Sequence, residues 1–136
     1  MTQEDKDLLF KDLCARLPYG VKVNVIYSTE NASSLRQRVC TEGVNVLNTD
    51  IVGLYQCNEI DIKPYLLPLS SMTEEQKKEY CSLVWFDGLS NGWNSDDAVI
   101  LNEVEMLIDF YHKNHLDWRE FIEKGLALDA TGLNIY

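Results

Sequence analysis

Residues 21–27 read Val-Lys-Val-Asn-Val-Ile-Tyr, and no other run constrains the fold as strongly. Val21, Val23 and Val25 fall on one side of an extended chain, with Lys22 and Asn24 on the other. β-Branched residues at a period of two predict a strand with one face on a core and one in water. Such a strand needs neighbours, and the chain that follows offers them. Residues 35–41, 44–47, 51–55 and 60–62 are short candidate strands, separated by Glu42-Gly43 and by Asn48-Thr49-Asp50 and preceded by a polar stretch, and Pro64 ends the series. Residues 21–62 are therefore expected to hold four or five short strands. Tight connections favour antiparallel pairing, because parallel strands need long crossovers. The expected product is a small bent antiparallel sheet or a partly open barrel.

Helical patterns flank this region. Thr2 and Asp5 form a capping-box pattern, and Leu9, Phe10, Leu13, Cys14 and Leu17 recur at helical spacing, which leaves Glu4, Lys6, Lys11 and Asp12 for solvent. Pro18-Tyr19-Gly20 stops this helix, expected over residues 3–17. Residues 65–69 are apolar and bracketed by prolines, suiting an irregular segment. Thr73 with Gln76 predicts a short helix over residues 73–81, residues 83–86 a further strand, and residues 90–94 a loop. Ser95 can cap a helix over residues 96–114, burying Leu101, Val104, Leu107, Ile108 and Tyr111 and turning Asn102, Glu103, Glu105 and Asp109 outward. Asp117 and Glu120 can cap a last helix over residues 118–124, with Trp118, Phe121 and Ile122 inward and Gly125 as its stop, before a tail over residues 127–136. The sum is one α+β domain over residues 1–136: an N-terminal helix, a small sheet, and C-terminal helices packed on it.

Charge narrows the partners. Twelve Lys and Arg against 22 Asp and Glu give a net charge of −10. A field of that sign opposes direct binding of nucleic acid and of anionic membrane surfaces. No apolar run is long enough for a membrane span and the first residues are polar, so a cytoplasmic location is expected. The imbalance is also local. Residues 79–112 contain Glu79, Asp87, Asp96, Asp97, Glu103, Glu105 and Asp109 and no Lys or Arg. Such a stretch suits a solvated face, or a surface for a basic protein. A homo-oligomer is a further option.

Sites of chemistry are few. Cys14, Cys40, Cys57 and Cys81 have no Cys-x-x-Cys spacing, so they suggest neither a zinc knuckle nor a redox pair, and isolated thiols are usually small buried hydrophobes. Glu105, Asp109 and His112 share a helix face and are the weak candidates for a divalent metal; the alternative is that the histidines complement the helix end. Trp93, in a polar loop between Gly92 and Asn94, is the aromatic best suited to anchor a partner, whereas Trp85 and Phe86 suit a core. No nucleophile elbow, phosphate loop, zinc-protease helix or dinucleotide fingerprint is present, and no cofactor is expected.

Three blocks resemble those of an uncharacterised family of small proteins from gut anaerobic bacteria and their phages or mobile elements. They are Lys-Asp-Leu-Cys-Ala-Arg-Leu-Pro-Tyr-Gly at residues 11–20, the segment Lys-Pro-Tyr-Leu-Leu-Pro-Leu-Ser-Ser-Met-Thr at residues 63–73, and Asp-Trp-Arg-Glu-Phe-Ile-Glu-Lys-Gly-Leu-Ala-Leu at residues 117–128. The resemblance implies a phage or mobile-element context and carries no catalytic residues. The expected function is a non-catalytic protein-binding or regulatory accessory module, with Glu103, Glu105, Asp109 and Trp93 meeting the partner. The alternative is a small enzyme or metal-binding protein using a sheet–helix pocket near Asp109 and His112.

Overall fold

A computed structural model describes residues 2–27, 38–90 and 97–136, and their side chains except those of residues 84–90 and 97–103. Helix α1 spans Gln3–Arg16 and starts as expected: Asp5 N–H donates to Thr2 Oγ1 at 3.1 Å, and Thr2 N–H to the Asp5 carboxylate. A 3-10 turn, Leu17–Tyr19, and Gly20 at φ 69° redirect the chain into strand β1, Lys22–Tyr27. Left-handed backbone of this kind carries no side-chain penalty at glycine.

Strand β2, Gly43–Val46, pairs antiparallel with β1, aligning Asn24 with Val44. Strand β3, Ile60–Leu66, pairs antiparallel with the other edge of β1, aligning Val25 with Ile62. β4, Leu128–Asp129, joins β3 in parallel, and the order is β2-β1-β3-β4. The α+β class holds. The sheet is mixed rather than wholly antiparallel, because some 60 residues of chain intervene between β3 and β4 and allow a parallel return. Pro64 does not end β3: it lies opposite Val23, and β4 pairs only from Tyr65 onward, so no strand on that side demands its missing N–H.

Two of the strands expected within residues 21–62 are replaced. Residues 51–55 belong to helix α2, Thr49–Gln56, where Asn48 caps the first turn by accepting from Ile51 N–H at 2.9 Å. Ile51, Val52, Leu54 and Tyr55 are its buried residues, a spacing that one face of a two-turn helix satisfies. Of the strand expected over residues 35–41, residues 35–37 lie outside the described residues; Arg38 and Val39 are helical, and Cys40 and Thr41 are not in a strand.

Helix α3, Glu74–Ser90, opens with the Thr73–Gln76 capping box (2.9 and 3.2 Å) and runs past residue 81 through the segment expected as a strand. Helix α4, Asp97–Lys113, returns antiparallel to it: Gln76 donates to Asn114, Lys113 pairs with Glu79 at 2.7 Å, and Tyr80 packs on Phe110 and Tyr111. The expected loop over residues 90–94 and the Ser95 cap fall mostly outside the described residues. The expected helix over residues 118–124 is a series of turns. Asp117 does cap them, accepting from Phe121 and Ile122 N–H, but Glu120 takes φ 61° and interrupts the helical ladder. The tail is ordered by β4, by an Asp129–Thr131 turn and by Tyr136.

The core lies between one face of the sheet and the helices α1 and α2. Val23 and Val25 of β1, and Ile60, Ile62 and Leu66 of β3, meet Leu9 and Leu13 of α1, Ile51 and Tyr55 of α2, and Phe121. Burying a side chain of this size contributes ~1.5–3 kcal/mol. On the opposite face of the sheet, Ile26, Val44 and Val46 are exposed. No described helix is long and apolar enough to cross a membrane.

Candidate functional site

Helix α4 carries the acids singled out by the sequence. Glu105 and Asp109 are exposed on it. Asp109 Oδ1 accepts from the Tyr19 hydroxyl at 2.8 Å, and this hydrogen bond to a carboxylate raises the phenol's pKa. The Glu103 side chain and Trp93 lie outside the described residues, as do the side chains of Trp85, Phe86 and Leu101.

The expected apolar stripe is shifted. Val104 and Met106 are 40% and 50% exposed, Leu107, Ile108 and Tyr111 are half-buried, and Phe110, absent from the stripe, is buried to 1%. Val104, Glu105 and Met106 are consecutive and span about 200° of the helix at 100° per residue, so this turn stands clear of the body on more than half of its circumference. Phe110 is drawn inward by Tyr80 across the hairpin, at 6.2 Å between ring centroids.

His112 points the other way, into a buried polar cluster. Asp12 and Arg16, four apart on α1, are both 0% exposed and pair at 2.7 Å. The other oxygen of Asp12 accepts from Arg119 Nε at 3.1 Å, and Arg16 Nη2 donates to the Leu116 carbonyl at 2.8 Å. His112 Nε2 accepts from the Trp118 indole N–H at 3.2 Å, which leaves its proton on Nδ1. Burial first, and then the Arg16 charge, lower the His112 pKa. The ring is therefore neutral at neutral pH, and its 4.0 Å approach to Asp12 is not an ion pair. Trp118 is covered on its faces, stacked on Tyr111 at 5.8 Å and overlaid by the Arg119 guanidinium at 4.1 Å.

This cluster ties α1, the end of α4 and the turn after it into one unit. It separates the weak metal candidates: Glu105 and Asp109 face solvent, and His112 faces Trp118. Among the described residues no group of three His, Cys, Asp or Glu is placed to hold a metal. The helical pattern of residues 3–17 assigns Asp12 to solvent and does not single out Arg16, yet both are buried. Their four-residue separation on a helix was the available signal.

Beside the cluster, His115 stacks on Tyr136 with centroids 3.7 Å apart and planes 10° from parallel. The Tyr136 hydroxyl donates to the Tyr65 carbonyl at 2.7 Å and accepts from Lys22 N–H at 2.8 Å, while Lys22 Nζ donates to the Ile135 carbonyl. Burial lowers the His115 pKa to about 4, with help from the Arg16 and Lys22 charges. His115 Nδ1 and Arg16 Nη1 are buried without a partner among the described residues. All four cysteines are free thiols, and against expectation only Cys40 is buried, since Cys14, Cys57 and Cys81 are exposed.

Compared with protein-family models, with curated proteins and with solved structures, the chain finds no match.

Proposed function

We propose that this domain is a non-catalytic protein-binding module that docks a basic partner on the outer face of α4, in an accessory or regulatory role. One observation carries the reading. Around Glu105 and Asp109, the exposed Val104 and Met106 add apolar area to an acidic surface. Protein interfaces combine these features, an apolar centre that excludes water and charges that orient the approach. Methionine suits such a centre because its flexible thioether adapts to the opposing surface. Residues 79–112 supply no Lys or Arg to neutralise the acids in sequence, and Lys113 at the end of the helix is engaged by Glu79. The phage or mobile-element setting rests on the family resemblance of the three sequence blocks.

The test is kinetic. A partner captured by the wild-type domain should be basic, and its association rate should fall as salt rises, because exposed charges are screened beyond ~8–10 Å at physiological salt. The triple variant Glu103→Gln, Glu105→Gln, Asp109→Asn should associate about tenfold more slowly at low salt, with its dissociation rate and folding nearly unchanged. A partner that binds this variant normally, at a rate indifferent to salt, rules the reading out.

A further inference from the structure

Residues 131–136 lie on the domain as a strap fastened mainly at its far end. Ala130 is buried and donates its N–H to the Leu66 carbonyl at 2.8 Å, but the six residues after it are exposed or half-buried, and Leu133 is 50% exposed. A segment with so little apolar burial belongs to the part of a structure that opens locally, before the fold around it does. What fastens it is the Tyr136 ring on His115, with centroids 3.7 Å apart, together with the bonds of Tyr136 and Ile135 to Lys22 and Tyr65. The clasp thus closes on one titratable ring.

That ring has no place for a charge. Its Nδ1 is buried without a partner among the described residues. An imidazolium carries a proton on both nitrogens, so protonation makes Nδ1 a buried donor with no acceptor, whichever nitrogen holds the proton in the neutral ring. The charges that bear on it are Arg16 from α1 and Lys22 from β1, both positive. From β3 it meets main chain, and from the tail the phenol of Tyr136, which burial keeps neutral with a pKa of about 12. The carboxylates nearest in sequence are engaged: Asp117 accepts from Phe121 and Ile122 N–H, and Asp129 accepts from Thr131.

We infer that residues 131–136 are an acid-released strap, clasped by the His115–Tyr136 stack and lifted from the sheet when His115 takes up a proton. Lifting admits water to Nδ1 and screens the new charge from Arg16 and Lys22, with the loss of few buried contacts. It also frees the Lys22 side chain from the Ile135 carbonyl. The surface uncovered at that end of β1 adjoins Val46, which lies opposite Lys22 in β2 and is already exposed. Neutral pH keeps this surface covered, and acid opens it while the core of sheet and helices stays in place.

The experiment is a pH titration of the 15N-labelled full chain by NMR, following the His115 ring protons and the backbone order parameters together. The closed strap binds the proton more weakly than the open one, so ring and strap should change at one common midpoint, below pH 6.5 and no lower than about 4. Across it the order parameters of residues 131–135 should fall from about 0.85 to below about 0.6, while those of β1 and β3 stay near the rigid value. Lys22→Gln removes one of the two cations facing the ring and a bond to the strap, so it should move the midpoint to higher pH. His115→Asn has no ring to protonate, and the order of its strap should not change with pH. The inference is overturned if the strap keeps its order until the whole domain unfolds, or if it loosens at a pH where the His115 ring does not titrate. It is equally overturned if the His115→Asn strap still loosens at the wild-type midpoint.

Discussion

Arg16 and Asp12 form a 2.7 Å ion pair with neither side chain exposed to solvent. An ion pair so placed loses the hydration of both charges, and its geometry offsets that cost only while both partners are present. Asp12 is the hub, since it also receives Arg119. Replacing Asp12 with Ala should cost ~3–5 kcal/mol, because it strands the buried Arg16 guanidinium. Urea unfolding of the variant measures this, and a loss below about 1 kcal/mol would show that the pair is not desolvated as described.

Acid should weaken the fold before it protonates most carboxylates. The pKa of His115 is about 4 and that of His112 is also lowered, both against an ordinary value of 6.5. The unfolded chain therefore takes up these protons first as pH falls. The two rings contribute full stability above pH ~6.5 and progressively lose it toward pH ~4, where the folded His115 begins to protonate. Unfolding free energies measured across this window should slope downward with acidification. His115→Asn removes one titrating ring and keeps a residue tolerant of the φ of 57° found there, so it should flatten the slope. An unchanged slope in that variant would exclude His115 as a source.

Phe110 and Val104 sit on one helix with opposite environments. Phe110→Ala should cost ~3–5 kcal/mol, the ordinary loss for a buried aromatic ring. Val104→Ala, at a position 40% exposed, should change stability by less than about 0.5 kcal/mol. Equal effects in thermal unfolding would mean that α4 is rotated about its axis relative to this description.

The thiols divide by exposure. In native protein, Cys14, Cys57 and Cys81 should react promptly with a thiol reagent such as dithionitrobenzoate, and Cys40 only on unfolding. Tyr27 covers the same segment, its hydroxyl donating to the Cys40 carbonyl at 2.8 Å. Prompt reaction of all four would indicate that the segment around Cys40 opens readily.

Some of this architecture is written within a few residues of chain. The Thr2–Asp5 and Thr73–Gln76 boxes start α1 and α3, Gly20 turns the chain, and the alternation of Val21, Val23 and Val25 makes a half-buried run into β1. These features are legible because each donor finds its acceptor, or each side chain its face, within one turn or one pleat. What distant chain does is not written locally. Ile51, Val52, Leu54 and Tyr55 satisfy a short buried strand or a short amphipathic helix equally well, and only the face they bury against the sheet decides for α2. The exposed acids Glu105 and Asp109 follow from polarity alone, but the burial of Asp12 and Arg16 does not. Their cover is Leu116 and Arg119, which reach them only after the intervening chain has folded back. Local hydrogen bonding is set by near neighbours in sequence, whereas burial, and the fate of a charge within it, is set by whatever packs above, and that is a property of the whole tertiary structure.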